Sequence, residues 1–301
     1  MTELRDVPAP AKLNLFLHVV GRRADGYHLL QTAFRFIDLR DTLHFKLRGD
    51  GRIVRVYDLP GVAADDDLTV RAARALQQAT GCALGAEIDL EKRIPAGGGL
   101  GGGSSDAATA LLALNRLWGT GLSRAELMRL ALPLGADVPV FVFGRNAFAE
   151  GVGEQLTQLA LPRRWYLVLQ PDASVPTADI FKSPDLTRDT PLVKIADFPG
   201  CIAGNSTAAG SGRFKNDLEP VAFAKFAKVA QAARKLGELL GERVVMSGSG
   251  ACLFVEYDSK SQADGAVDKI AATMQGSSDL QPRLYQSCTG LDEHPLLNWA
   301  Q

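Results

Sequence analysis

An α+β fold of two domains, with mixed but mostly antiparallel sheets and helices packed on them, is what the sequence predicts. Three observations predict it. The chain has 301 residues, more than one compact core usually organises. Segments of alternating apolar and polar residues at 34–47, 52–58 and 86–95 read as strands, and segments of helical spacing at 68–81 and 105–118 lie among them. After "ALPRRW" (160–165) the pattern restarts with the strand "YLVLQP", which gives domains 1–160 and 161–301.

The elements follow in order. The helix over 68–81 has Gly81 where a C-terminal cap belongs. The next helix places Ala107, Leu111, Leu114 and Leu117 on one face, with Ser104, Ser105 and Asp106 offered as N-caps and Gly119 at its end. Ser123 followed by Glu126 forms a capping box for "RAELMRLAL", and Pro133 stops that helix. In the second half, 221–241 reads as a long alanine-rich helix, and "RVVMSGSGACLFVEY" as a strand with a glycine turn inside.

Composition excludes several classes. Lys plus Arg is 33 against Asp plus Glu at 34, so no global basic field exists for nucleic acid or an anionic membrane, and a small-molecule partner is favoured. No apolar run approaches the ~20 residues of a bilayer span, and acidic residues and a prolyl pair stand where an export signal would need apolar ones. A cytoplasmic protein is expected. Cys82, Cys201, Cys252 and Cys288 are dispersed without a CxxC pair and read as packing residues in a reducing compartment. No metal-ligand set stands out, and no self-association stronger than a weak homodimer is expected.

The stretch "IPAGGGLGGGSSDAAT" (94–109) carries the chemistry. Six glycines in seven positions permit positive φ and close backbone approach, and the run opens a helix. Several N–H groups and the positive end of the helix dipole then converge on one spot, which is an anion site with phosphate as its natural guest. A Walker A loop would need a lysine after its glycines, and Ser104 follows Gly103 instead. A GxGxxG match at Gly97, Gly99 and Gly102 is nearly automatic in so dense a tract, and no N-terminal βαβ unit surrounds it. A merely flexible linker does not sit between a strand and a helix inside a domain.

With Pro95 ahead of it and two serines behind, this stretch resembles the phosphate loop of the GHMP kinases. "PAPAKLNLFL" (8–17) resembles their first motif and "MSGSGACLFV" (246–255) their third glycine motif. "GRRADGYHLLQT", "GADVPVF", "AEGVGE", "TADIF" and "NDLE" resemble the branch of that superfamily whose substrate is a cytidine diphosphate ester of methylerythritol, in the non-mevalonate isoprenoid pathway. The resemblance runs from about Pro8 to Val255. It implies a two-domain GHMP-kinase fold with its active site in the cleft between domains, and ATP-dependent phosphorylation of the substrate's 2-hydroxyl. Magnesium is expected from the reaction type, with no ligand assigned. The alternatives are another GHMP kinase, of homoserine or mevalonate type, and a catalytically silent nucleotide-binding protein on the same fold.

Carried over residue by residue, the resemblance makes Asp137 the group that takes the hydroxyl proton and Lys12 the one that orients it and offsets negative charge. On the residues alone, Asp137 could equally cap a short helix before Pro139, and Lys12 could snorkel at a sheet edge. ATP would be held by Pro95, Ala96, Gly97, Gly98, Gly99, Leu100, Gly101, Gly102, Gly103, Ser104 and Ser105. On the adenine side Asp67 stands where the family has asparagine, and an ionised acid cannot donate an amide's hydrogen bond. Tyr27 and Phe181 would stack on the cytosine, His28 would discriminate the base, and Asn14, Val152 and Thr177 would complete the substrate contacts. Singly, a histidine beside an aromatic or a phenylalanine is more often a packing residue.

Overall fold

Two strands far longer than the usual five or six residues form the spine: β1 (Glu3–Arg22) and β2 (His28–Arg48). The computed structural model describes residues 1–198, 214–276 and 281–300. β1 and β2 pair antiparallel from Glu3↔Lys46 to Arg22↔His28, with register shifts that bend them, one beside Asp6 at φ 54. Among the described residues β1 pairs with no other strand of the sheet, which is where Pro8 and Pro10, lacking N–H donors, belong. Past the prolines its outer edge is used: the Lys12 N–H donates to the Leu100 carbonyl and the Leu17 N–H to the Lys215 carbonyl, each at 3.0 Å.

On its other side β2 pairs with β4 (Gly85–Glu91), β5 (Ala147–Glu150) and the C-terminal β10 (Pro282–Leu291). The full order is β3-β4-β2-β10-β7-β9-β8, with β3 as Ile53–Arg55, β7 as Trp165–Pro171, β8 as Val245–Met246 and β9 as Leu253–Tyr257, and with β6 (Gln155–Gln158) on β5. Only β3 and β4 run parallel among these strand pairs. The fold is α+β with a mostly antiparallel sheet. Among the described residues no helix is long and apolar enough to cross a membrane.

The helices α1 (Leu68–Thr80), α2 (Gly102–Trp118), α3 (Arg124–Ala131) and α4 (Val138–Phe143) cover the first part of the sheet over one apolar cluster. A second cluster lies under β7 and β9, packed by α5 (Thr177–Phe181), α6 (Glu219–Lys225), α7 (Ala227–Leu240) and α8 (Lys260–Gly276). The chain's end returns to the first cluster through Leu296 and Trp299.

Three expectations change. The run at 52–58 is a strand only over Ile53–Arg55. The helix expected over 221–241 is two helices, broken at Phe226 (φ −120, ψ 82), with α6 burying Val221 and Ala222 and α7 burying Val229 and Leu236 in one cluster. Ser104, Ser105 and Asp106 do not cap α2. Gly101 does, at φ 72 and without a side-chain hydrogen bond, and the helix starts at Gly102. Gly81 and the Ser123–Glu126 box terminate their helices as expected. Cys252 and Cys288 are buried and Cys82 half-buried, while Cys201 lies outside the described residues.

Asp67 caps α1: its carboxylate accepts from the Thr69 N–H at 2.8 Å, the Tyr57 hydroxyl at 2.5 Å and Arg55 at 3.2 Å. Burial alone would raise its pKa, but the hydrogen bonds from Tyr57, Thr69 and Arg55 hold it below the usual carboxylate range. Asp67→Ala removes a cap worth ~1 kcal/mol and leaves Arg55 without its carboxylate, so about 2–4 kcal/mol of stability should be lost. A chemical denaturation midpoint that does not move would contradict this.

Candidate active site

The glycine run lies against the turn between β8 and β9, and the contact explains Gly98 and Gly99. The carbonyls of Gly97, Gly98 and Gly99 accept from the Ala251 N–H, the Cys252 N–H and the Ser247 hydroxyl at 3.3, 3.0 and 2.9 Å, and the Leu100 carbonyl accepts from Lys12. A Cβ on Gly99 would overlap the Ser247 carbonyl oxygen, and one on Gly98 would sit 2.5 Å from Cys252 Sγ. Gly97, Gly99 and Gly101 have φ of 65, 75 and 72, where a side chain is strained. The loop's carbonyls thus turn inward, and no N–H from Gly97 to Gly101 donates to another described residue. Those donors and the uncapped first turn of α2 remain for an anion.

Lys12 emerges from β1 directly behind the loop. It is only 2% exposed, so it does not snorkel to solvent. Its ammonium lies 3.2 Å from Asp137 Oδ2, donates to Asn14 Oδ1 and sits 5.4 Å from the centre of the Phe34 ring. A Cβ on Gly101 would come within 3.2 Å of Lys12 Cε, so the loop and the lysine touch. Asp137 stands at the N-terminus of α4 yet makes no capping hydrogen bond; its carboxylate, 34% exposed, is free to face Lys12 and the cleft. Asn14 is buried, with Nδ2 donating to Thr32 Oγ1 at 2.9 Å, so its side chain holds Lys12 in place.

Behind the loop, Lys92 bridges the buried carboxylates of Asp41 and Asp106. Burial pushes the Asp106 carboxyl well above its usual range against the pull of Lys92. Lys92 thus offsets negative charge in the trio behind the loop.

Next to Ala136, the neighbour of Asp137, opens a cavity of about 580 Å³ lined from both halves of the chain. Tyr27, His28 and Val152 line it from one side and Phe181, Lys182 and Arg188 from the other. The His28 and Phe181 rings lie 5.0 Å apart at 36°, and Tyr27 is 64% exposed at the mouth. Burial, with the positive charges of Arg188 and Arg22, lowers the His28 pKa and keeps the ring neutral.

The structure therefore brings Lys12, Asn14, Asp137 and Gly97–Gly103 together, with Tyr27, His28, Val152 and Phe181 in the adjoining cavity. Thr177 is set apart: it does not line the cavity, and its hydroxyl shares a 2.7 Å hydrogen bond with Ser249. Ser105 donates to the Pro10 carbonyl at 2.7 Å and pins α2 to β1. Asp67 has its carboxylate engaged in capping α1. Pro95, Ala96 and Ser104 are partly or fully exposed along the loop. Sequence reasoning missed Arg188 and Lys92, whose partners lie 160 residues from one and 51 from the other, where no local spacing could show them. The "NDLE" segment proves to be a clamp: Asn216 Nδ2 donates to the Met246 and Gly248 carbonyls, and Asp217 accepts from the Val19 N–H.

The sequence pattern of the GHMP kinases N terminal domain matches residues 67–145 and that of GHMP kinases C terminal matches residues 202–276. Fold and patterns together define a GHMP kinase. A 4-diphosphocytidyl-2-C-methyl-D-erythritol kinase of Bordetella parapertussis is 65% identical over 302 residues, 98% of this chain and 98% of that protein. One of Ralstonia nicotianae is 56% identical over 299 residues, 99% of this chain and 98% of that protein. A crystal structure of 4-(cytidine 5'-diphospho)-2C-methyl-D-erythritol kinase superposes with a TM-score of 0.75 at 35% identity, covering 96% of this chain and 98% of that one. A homoserine kinase from Cytophaga hutchinsonii shares the fold, with a TM-score of 0.70 at 14% identity over 97% of this chain and 95% of its own. The chain belongs to the 4-diphosphocytidyl-2-C-methyl-D-erythritol kinase family of the GHMP kinases.

Two glycine substitutions separate close approach from mere flexibility. Gly99→Ala drives a methyl into Ser247 at positive φ and should cost ~2 kcal/mol or more, with ATP affinity falling about tenfold or more. Gly103→Ala meets only Leu68 Cδ1 at 3.6 Å and should leave the melting temperature nearly unchanged. Equal melting temperatures for the two variants would refute the close-approach account.

Proposed function

We propose that this chain transfers the γ-phosphoryl group of ATP to the 2-hydroxyl of 4-diphosphocytidyl-2-C-methyl-D-erythritol. The observation that carries the mechanism is the placement of Lys12, touched by Gly101 on one side and ion-paired with Asp137 on the other. A triphosphate seated on the loop amides would present its γ-phosphorus beside Lys12. A substrate filling the cavity would reach its hydroxyl past Ala136 toward Asp137.

In the transfer, Asp137 accepts the hydroxyl proton as the oxygen–phosphorus bond forms and the bond to the β–γ bridging oxygen breaks, releasing ADP. Phosphoryl transfer asks mainly for alignment and stabilised charge. Lys12 serves both: two of its three N–H donors hold Asn14 and Asp137, which fixes the carboxylate, and the third is left for the reacting phosphate. The loop amides and the α2 dipole neutralise the spectator phosphates. Magnesium, when bound with the nucleotide, would supply positive charge that offsets the phosphates. The described residues hold no group of three His, Cys, Asp or Glu able to build a cage for it, so the steps here rest on the chain's own groups.

We read the cavity as the site of the cytidine diphosphate moiety, and the cleft as lying between domains 1–160 and 161–301. Val152 would bound the pocket, and Thr177 would contribute by holding Ser249. On the adenine side, the inward-turned Asp67 leaves base recognition to other groups. A cytoplasmic setting suits the buried free thiols, with Cys288 pushed up to about 12 by burial. A homoserine or mevalonate acceptor would leave the aromatic cavity without a base to hold.

Asp137→Asn should lower kcat by ~10²–10⁴ while the dissociation constant for ATP changes less than about threefold. Turnover near the wild-type rate in this variant would remove Asp137 as the base. In a coupled assay of ADP release, the cytidine diphosphate ester should saturate the enzyme and mevalonate should give no signal; the reverse result would overturn the substrate.

A further inference from the structure

His28 does not stand alone in the cavity. Its Nε2 accepts a hydrogen bond from Arg188 Nε at 3.1 Å. The rest of the Arg188 fork is fixed by carbonyls: Nη1 donates to Leu186 at 2.9 Å, and Nη2 to Phe181 at 3.1 Å and Ser183 at 2.6 Å. Four of the five guanidinium donors are therefore engaged, and they aim Nε–H at the ring in one direction. One arm of the same fork holds the backbone of Phe181, the aromatic wall facing His28.

Arginine can only donate, so the ring nitrogen that receives it must carry a lone pair. A neutral His28 then bears its proton on Nδ1, and Nδ1 makes no hydrogen bond to another described residue. The cytosine ring offers an acceptor at N3, which an N–H donor fits. Uracil carries a proton at that position, so the same donor would face another donor.

We propose that Arg188 is a positioning and specificity-determining residue: by holding His28 as the Nδ1–H tautomer it makes the cavity accept a cytosine base and refuse uracil. This rests on the reading of His28 as the base contact. With four donors engaged, Arg188 keeps one N–H, too few for a bidentate phosphate clamp, and in this reading it acts on the base through His28. The cationic neighbour and the burial that lower the His28 pKa act in the same sense, since they disfavour the imidazolium whose second N–H would oppose Arg188.

Long-range ¹H–¹⁵N spectra of the full chain without substrate test the positioning role, the His28 signal being assigned by its loss in His28→Gln. The wild type should show Nδ1 protonated and Nε2 bare, and Arg188→Met should shift the ring toward the Nε2–H tautomer. A wild-type ring protonated at Nε2, or a tautomer that Arg188→Met leaves unchanged, would overturn the proposal. Kinetics test the specificity: Arg188→Met and Arg188→Gln should raise KM for the cytidine ester about tenfold or more, with kcat and the KM for ATP within about threefold. The preference for the cytidine over the uridine ester should fall with it. Equal losses on both esters, or a joint fall in kcat, ATP affinity and melting temperature, would mark Arg188 as structural only. If the wild type did not turn over the cytidine ester at all, the substrate reading would fail, while the spectra would still decide what Arg188 does to His28.

Discussion

The contact between the bare backbone of Gly97–Gly101 and the turn at Ser247–Cys252 is the constraint on which the rest of the site depends. Carbonyls pointing into that contact leave the N–H groups of the same peptides pointing out. Side chains at Gly98 or Gly99 would separate the two segments and dissolve this polarity. The contact also joins parts distant in sequence, because Ser247 donates to Gly99 and accepts from the Asn14 N–H. One hydroxyl thus ties the loop, the third glycine motif and the strand that carries Lys12. A glycine-rich loop is usually explained by what it offers a ligand; here Gly98 and Gly99 are explained first by what they press against.

Charge is arranged around that contact with the same economy. Lys12 is taken out of water, which is unfavourable for an ammonium unless it is paired. Asp137, Asn14 and the Phe34 ring provide the pairing, and Asp137 alone of these reaches the solvent side. The carboxylate open to solvent is therefore also the one that stabilises the buried cation. Beneath the loop, the Lys92, Asp41 and Asp106 trio anchors β2, the end of β4 and α2 together, and burial pushes the Asp106 carboxyl up against the pull of Lys92.

Much of this was legible in the sequence, and the failures have physical causes. Helix ends set by local chemistry were readable: Gly81, and the Ser123–Glu126 box. The start of α2 was misread because serines there suggested side-chain caps, whereas a left-handed Gly101 starts the helix earlier. β1 escaped the alternation test since its prolines and bulges break the period, and β10 because its partners lie more than a hundred residues away. The break at Phe226 is a tertiary effect that a helix-favouring composition hides. At the site, the glycine run was readable from its own backbone chemistry, while Lys12 and Asp137 came from motif resemblance. Arg188 and the inward turn of Asp67 depend on side-chain directions that no spacing encodes.

The most direct test of the central claim is a crystal structure with a non-hydrolysable ATP analogue and the cytidine diphosphate ester bound together. The account predicts the triphosphate against the N–H groups of Gly97–Ser104, with the acceptor hydroxyl within hydrogen-bond reach of Asp137. A triphosphate lodged away from those amides, or a hydroxyl facing another carboxylate, would contradict it.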